Sequence, residues 1–315
     1  MATPETPDRR LWIDGEWVPW ERATVHVLSH SLQRGSLVFD YMSIHGTPRG
    51  DAVFRLHEHV ERFLLSCALV GLPLERSGPE LESAVLDTVR ANPGSTALKM
   101  SAYLPSVEVD VVPVDDRVSV AIAAYDPVAD ILARKATRAP FKPELRLWIE
   151  KERRNRRSDI LPAQAKVAAN YTSPMAAKWK ARRAGYDEIV LVDEDGYLAE
   201  GPTTNLFLVN AAGELCTPSE RNVLLGITRR TVIELAKHDG IPVQEVSLEP
   251  QALHDAAEVF LTGTTAGVWP VVSVDDKTVG DGRPGPVTIR LREHFERVVS
   301  GRDPDFEHWL SYVER

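Results

Sequence analysis

The chain has 315 residues, 43% of them hydrophobic and 26% charged, with a formal net charge of -9 at pH 7. That length suffices for two ordinary domains burying about three quarters of the unfolded surface, and the negative charge argues against a nucleic-acid binder, which must neutralise phosphates. No apolar run approaches the roughly 18 residues of a membrane span, Met1–Arg10 lacks a signal-type apolar core, and two cysteines, Cys67 and Cys216, indicate no disulfide framework, so a soluble cytoplasmic protein is expected.

Leu11–Val18 predicts a hairpin turning at Asp14-Gly15. Ala52–Leu56 predicts a short strand leading into a helix over 58–70, apolar at Val60, Phe63, Leu64, Cys67 and Ala68 and stopped by Gly71 and Pro73. A second helix is expected over 79–91, then strands over 97–104 and 118–125, the latter apolar enough to suggest burial on both faces. Asp126–Pro143 is rich in Pro, Ala and charge, and the domain junction is placed there.

The second half alternates. Strands are predicted over 145–149, 188–192, 206–210, 214–217, 259–261 and 268–274, with helices over 171–184, 227–238 and 287–299. Asp193-Glu194-Asp195-Gly196 and Ala211-Ala212-Gly213 supply turns, and Gly240 and Pro242 stop the 227–238 helix. The mix reads as α+β in two domains: a small N-terminal α/β domain over 1–130, a linker over 131–140, and a larger C-terminal domain over 141–315.

Lys166 is the first chemical candidate. It lies among small residues in Ala163-Gln164-Ala165-Lys166-Val167-Ala168-Ala169-Asn170-Tyr171, and desolvation lowers an amine's pKa and exposes its lone pair to carbonyl chemistry. Taken alone, an ordinary surface lysine is the simpler explanation. Three further segments follow in order: Glu200-Gly201-Pro202-Thr203-Thr204-Asn205-Leu206-Phe207, Leu224-Leu225-Gly226-Ile227-Thr228-Arg229, and Thr262-Gly263-Thr264-Thr265-Ala266-Gly267. An earlier one, Val53-Phe54-Arg55-Leu56-His57-Glu58-His59, precedes them. Gly226 with Ile227 and Thr228 opens a helix, whose first amides and positive dipole end suit an anion. Arg55 has the planar fork that suits phosphate. His57 and His59 have no cysteine nearby, and no metal site is expected.

This series resembles the class IV aminotransferases, pyridoxal 5'-phosphate enzymes of fold type IV, and most of all the branched-chain amino-acid aminotransferases. The resemblance runs from Leu11-Trp12-Ile13-Asp14-Gly15 through Val25-His26-Val27-Leu28-Ser29-His30 to Gly285-Pro286-Val287-Thr288. It implies the D-amino-acid-aminotransferase-like fold, with a pseudo-barrel as the C-terminal domain, and a homodimer. It assigns Lys166 to covalent attachment of the cofactor and to proton transfer, and Glu200 to the ring nitrogen. Tyr171 would hydrogen-bond the ring hydroxyl oxygen, and Leu224 would pack on the ring. Gly226, Ile227, Thr228 and Arg55 would hold the phosphate, with Thr264 and Thr265 as a second phosphate turn. Thr203, Thr204 and Asn205 would be polar groups on the cofactor or substrate side.

The implied reaction is ping-pong transfer of an amino group from a small apolar amino acid or primary amine to a 2-oxo acid. The chain departs from the branched-chain enzymes where substrate is gripped. The run Phe39-Asp40-Tyr41-Met42-Ser43 lacks their Gly and Arg, Leu98 and Met100 stand where they often place a Tyr and an Arg, and Arg34 replaces an early Tyr. Arg34, Phe39, Tyr41 and Met100 are therefore pocket candidates. Asp40 with Ser43 looks more like the (R)-selective amine transaminases and some D-amino-acid enzymes, which stay open as alternatives. A lyase similar to aminodeoxychorismate lyase and a non-catalytic scaffold are the other readings. The basic run from Lys151 to Arg157 is expected to be a solvated face; the alternative brings one of its arginines to the pocket mouth to attract a carboxylate.

Overall fold

The computed structural model describes residues 8–134, 142–155 and 157–314. Two compact units divide the chain. The first is Met1–Pro140 with Ala165–Ala169 and Val299–Arg315; the second is Phe141–Gln164 with Asn170–Val298.

In the first unit Asp14 and Gly15, both at positive φ, turn β1 (Arg10–Ile13) into β2 (Glu16–Pro19). A short helix α1 (His30–Arg34) precedes β3 (Val38–Thr47), and β4 (Gly50–Phe54) returns antiparallel to it. Helices α2 (Leu56–Leu69) and α3 (Gly78–Ala91) follow, then β5 (Ala97–Tyr103) and β6 (Ser119–Tyr125). Ser77 and Glu80 begin α3 with a reciprocal capping box. Strand alternation sorts the side chains of β3 and β5. Val38, Asp40 and Met42 share a fully buried face with Leu98 and Met100, and α2 packs on that side of β3. Phe39, Tyr41 and Ser43, with Lys99 and Ser101, take the opposite, half-buried face. In β6 Val120, Ile122 and Ala124 form a fully buried face, while on the other face Ser119 alone is buried. Ala121 and Ala123 are half-buried. Burial on both faces is thus not found, because alanines raise the apolar count of a strand without requiring a covering layer.

The second unit contains β7 (Leu145–Glu150), α4 (Thr172–Arg183), β8 (Glu188–Leu191), β9 (Asn205–Val209), β10 (Leu215–Pro218), α5 (Ile227–His238) and β11 (Val243–Val246). It continues through α6 (Ala252–Asp255), β12 (Glu258–Gly263), β13 (Gly267–Val274), the two-residue β14 (Lys277–Thr278) and α7 (Pro286–Val299). The sheet runs β11-β10-β9-β12-β13-β7-β8, with β14 on β13. Parallel pairs (β10 with β11, β13 with β7, β7 with β8) sit among antiparallel ones. Leu145, Leu147, Val190, Leu206, Leu261 and Val271 are among its core residues.

Glu258 fixes the start of α7. Its carboxylate is buried and accepts from the N–H groups of Val287 (3.0 Å) and Thr288 (2.7 Å) and from the Thr288 hydroxyl (2.7 Å). Gly285 makes room, since a Cβ there would lie 2.2 Å from Glu258 Cδ. Glu258→Ala is expected to cost about 2 kcal/mol by leaving buried donors unmatched, seen as a lower urea midpoint; an unchanged midpoint would mean α7 is anchored elsewhere.

The chain then returns to the first sheet. β15 (Leu310–Tyr312) pairs with β4, giving seven strands in the order β15-β4-β3-β5-β6-β1-β2. The expected domain plan is corrected in two respects. The last 17 residues belong with the N-terminal unit, so the units are similar in size rather than small and large. The segment 165–169, lysine included, also belongs to the first unit, because its backbone bonds run to Gly35, Leu37 and Phe39. Of the expected linker, positions 135–140 lie outside the described residues. Among the described residues no helix is long and apolar enough to cross a membrane.

Candidate active site

Lys166 is held by its backbone. Its N–H donates to Ser66 Oγ at 3.0 Å, and its carbonyl accepts from Phe39 N–H at 3.0 Å. On either side, Val167 bridges Val38 and Ala168 donates to the Leu37 carbonyl. The lysine segment thus runs as a short edge beside the start of β3. Its amine lies 5.1 Å from the centroid of the Phe39 ring. A second amine, Lys99 Nζ, lies 4.7 Å from that same centroid. Burial pushes the Lys99 amine below its ordinary value.

Arg55 stands at the N-cap of α2 in a left-handed conformation (φ 49°) and is buried. Its guanidinium donates to Glu58 Oε1 at 2.9 Å and lies 3.7 Å from the Trp309 ring centroid. Its N–H donates to the Trp309 carbonyl at 2.7 Å. The arginine expected at a phosphate is therefore clamped by a carboxylate and an indole, which fixes its fork. Trp309, near the C-terminus, gave no sign of this role in the sequence.

In the second unit a tight cluster gathers where β9 begins and β12 ends. Glu200 is buried, and its Oε2 accepts from Asn205 Nδ2 (3.2 Å) and Leu224 N–H (3.1 Å). Asn205 Nδ2 also donates to the Leu224 carbonyl at 2.9 Å, tying the two loops together. Gly226 is sterically required: a Cβ there would sit 2.0 Å from Asn205 Oδ1. Gly226 is also the N-cap of α5, whose first turn has no side-chain cap and no acidic residue. That leaves the amides of Ile227 and Thr228 at the positive end of a twelve-residue helix. Thr262 pairs with Asn205 across the sheet. The hydroxyls of Thr262 and of neighbouring Thr204 are buried with no hydrogen-bond partner among the described residues. Unmatched buried hydroxyls beside an oriented carboxylate and an uncapped helix start fit a polar, anionic ligand. Thr203 and Thr265 are exposed and Thr264 is half-buried, the latter two in the turn between β12 and β13. Tyr171 is half-buried at the N-cap of α4.

The pocket candidates separate. Phe39 and Tyr41 share the half-buried sheet face above which the lysine amine lies. Met100 is corrected: it is fully buried in the core, one residue out of phase with that face, and Lys99 occupies it instead. Arg34 is exposed and donates to the Val109 carbonyl at 2.9 Å, bracing the 107–114 loop. Asp40 also points away from the pocket face. It is fully buried, gripped by Arg62 through two bonds (2.9 and 2.8 Å) and by His59 Nδ1 at 2.6 Å. Burial alone would raise the Asp40 carboxyl, but Arg62 and His59 hold it well below the usual carboxylate range. Burial pushes His59 below its ordinary value against the pull of Asp40.

The basic run pairs at its ends, Lys151 with Asp275 and Arg157 with Asp159; Arg153 and Arg154 are exposed, and Arg156 lies outside the described residues. Among the described residues one group of metal-ligating type comes together, His238, Asp239 and His294. Arg290 pairs with the other oxygen of Asp239, so the group reads as a charged cap on the C-terminal end of α5.

With this geometry established, similarity to known proteins is informative. A model of the class IV amino-transferases matches residues 37–274. The branched-chain-amino-acid aminotransferase of Escherichia coli (strain K12) is 35% identical over 307 residues, 97% of each chain. The branched-chain amino acid aminotransferase of T.th., solved with pyridoxamine 5'-phosphate, superposes with a TM-score of 0.90 at 36% identity, over 98% of this chain and 100% of that one. The same enzyme complexed with N-(5'-phosphopyridoxyl)-L-glutamate gives 0.89 at the same identity and coverage. The chain therefore belongs to the class IV aminotransferases, α+β enzymes of fold type IV.

Proposed function

We propose that this protein is a pyridoxal-phosphate-dependent branched-chain amino-acid aminotransferase, exchanging amino groups with 2-oxoglutarate or a similar 2-oxo acid by a ping-pong mechanism. The observation that carries this reading is full-length similarity to branched-chain enzymes in a chain that also holds Lys166 by both backbone groups.

The cofactor, when bound, supplies an aldehyde and an electron sink for the substrate α-carbon. Lys166 would hold it through its amine and would carry a proton to and from the substrate α-carbon. Glu200, oriented by Asn205 and Leu224, would provide the negative charge that keeps the ring nitrogen protonated. Ile227, Thr228 and Gly226 at the α5 start, Arg55, and the Thr264-Thr265 turn are the residues that would hold the phosphate. Tyr171 would donate to the ring hydroxyl oxygen, Leu224 would pack on the ring, and Thr203, Thr204 and Asn205 would supply further polar contacts. Glu200→Gln is expected to lower kcat about 100-fold while cofactor stays bound; unchanged turnover would remove Glu200 from this role.

Phe39 and Tyr41 offer an apolar and aromatic surface to a branched side chain, and Lys99 beside them offers a cation to an acceptor carboxylate. Lys99→Met is expected to raise KM for 2-oxoglutarate about tenfold with donor KM unchanged; equal acceptor saturation would refute it. The Asp40 difference that favoured an (R)-amine or D-amino-acid substrate loses its force, since that side chain is committed to Arg62 and His59.

A homodimer is supported by an apolar surface in the first unit. Val25, Val27, Leu28 and Leu32 are exposed, and so are Val107, Val109, Val111, Val112 and Val114, with Val109 and Val114 at 94%. Ser29 bridges Val107 and His30 Nε2 reaches the Val111 carbonyl at 2.8 Å, so the two stretches form one patch. Monomers rarely expose such a patch to water. Both cysteines, Cys67 and Cys216, are buried free thiols, and burial pushes Cys67 up to about 12.

The deciding experiment titrates the cofactor absorption band of purified protein with L-leucine, D-alanine and (R)-1-phenylethylamine. Bleaching by L-leucine is expected. Bleaching by either of the others alone would reassign the substrate, and silence with all three would reject a transaminase of this kind.

A further inference from the structure

The buried Asp40–Arg62 pair has no part in the chemistry above, yet taking two charges out of water is costly and apolar residues of the same volume would avoid it. What it holds is the lysine segment. Phe39, adjacent to Asp40 on β3, donates its N–H to the Lys166 carbonyl at 3.0 Å. On α2, Ser66 donates to the Arg62 carbonyl at 2.8 Å and accepts the Lys166 N–H at 3.0 Å. Both backbone polar groups of Lys166 therefore end on residues tied to the pair, one on the strand and one on the helix.

We propose that Asp40, His59, Arg62 and Ser66 form a positioning device that fixes the backbone of Lys166, and with it the direction of its amine, Ser66 being the coupling residue. The two-pronged Arg62–Asp40 contact, with His59 one turn earlier on α2, sets the rotation of α2 about its own axis against β3. Ser66 lies one turn after Arg62 on the same helix face, so that rotation decides where its hydroxyl meets the lysine segment. A hydroxyl suits the place because it donates and accepts at once. The Ser66 side chain is fully buried, so water cannot replace either contact.

The inference rests on Lys166 being the cofactor lysine, and the test separates the two claims. Cofactor-free Ser66→Ala and Ser66→Thr proteins are acylated briefly with an amine-reactive ester, each below its own unfolding temperature, and labelling at Lys166 and Lys99 is quantified by peptide mass spectrometry. Lys99 serves as the internal standard because it flanks the same Phe39 ring. In Ser66→Ala the Lys166-to-Lys99 ratio should rise about threefold or more, and kcat of the loaded enzyme should fall about tenfold or more with donor KM within about twofold. Ser66→Thr, which keeps the hydroxyl, should restore both. An unchanged ratio in Ser66→Ala, or equal impairment of the two variants, overturns the proposal. Ser66→Cys carries the same comparison if the alanine variant does not fold. The ratio is read without cofactor, so it stands even if pyridoxal phosphate proves to attach elsewhere.

Discussion

Lys166→Ala is expected to lower kcat by at least about 10⁴-fold, because on the proposed mechanism it removes both the covalent anchor of the cofactor and the proton carrier. The variant should still fold. The contacts that hold this segment use the lysine N–H and carbonyl, which alanine retains, and the side chain itself is only half-buried. A melting temperature within a few degrees of wild type, with turnover lost, is the predicted pair of results. Added methylamine should recover a small part of the activity by supplying the missing base. Residual turnover above about 1% of wild type without added amine would show that another group does this work.

The largest effect on stability is expected from Asp40→Asn. The substitution keeps shape and some hydrogen bonding but leaves the Arg62 guanidinium buried without its counter-charge, a change that typically costs about 3–5 kcal/mol. The pH dependence has a definite sign. The folded Asp40 carboxyl titrates below its unfolded value, so its contribution is complete above about pH 4, the unfolded carboxylate range, and is lost as pH falls further. The gap between wild type and Asp40→Asn in urea unfolding should therefore be constant from pH 8 to about 7, above the unfolded value of the neighbouring His59, and the Asp40 share of it should shrink below about 4. A gap near zero at pH 7 would mean that the pair is neutral to folding.

Much of the fold was legible because local rules and tertiary packing agree. Ser77 with Glu80 and Pro79 announces α3, Asp14-Gly15 announces the first hairpin, and Gly240 with Pro242 marks the end of α5. The strand β3 was not read as a strand, and its physical reason is instructive. An aspartate occupies an inward position, between Val38 and Met42, and breaks the apolar alternation that marks a half-buried strand. Only the arrival of Arg62 and His59 from a helix about twenty residues later makes a carboxylate tolerable there. The same cause hid Lys99: a one-residue shift of register decides whether Met100 or Lys99 faces Phe39, and no local signal in β5 sets it.

Among candidate site residues, those carried by motifs were legible in the sequence and those supplied by packing were not. Glu200, Asn205, Gly226 and Thr228 stand in short segments whose glycines are sterically demanded, so their spacing is readable. Ser66 and Trp309 come from a helix interior and from near the C-terminus. Each acts on a candidate residue more than ninety positions away, Lys166 and Arg55 respectively. The return of residues 299–315 to the first sheet was equally hidden, because Leu310–Tyr312 is too short a strand to stand out without its partner β4.

Two amines flank one aromatic ring in this chain, so the attachment point itself can be measured. Borohydride reduction of the protein reconstituted with pyridoxal 5'-phosphate, followed by peptide mapping, should find the pyridoxyl mass on the peptide containing Lys166 and none on that containing Lys99. A label on Lys99, or no label on either, would contradict the assignment of Lys166 on which the proposed transamination depends.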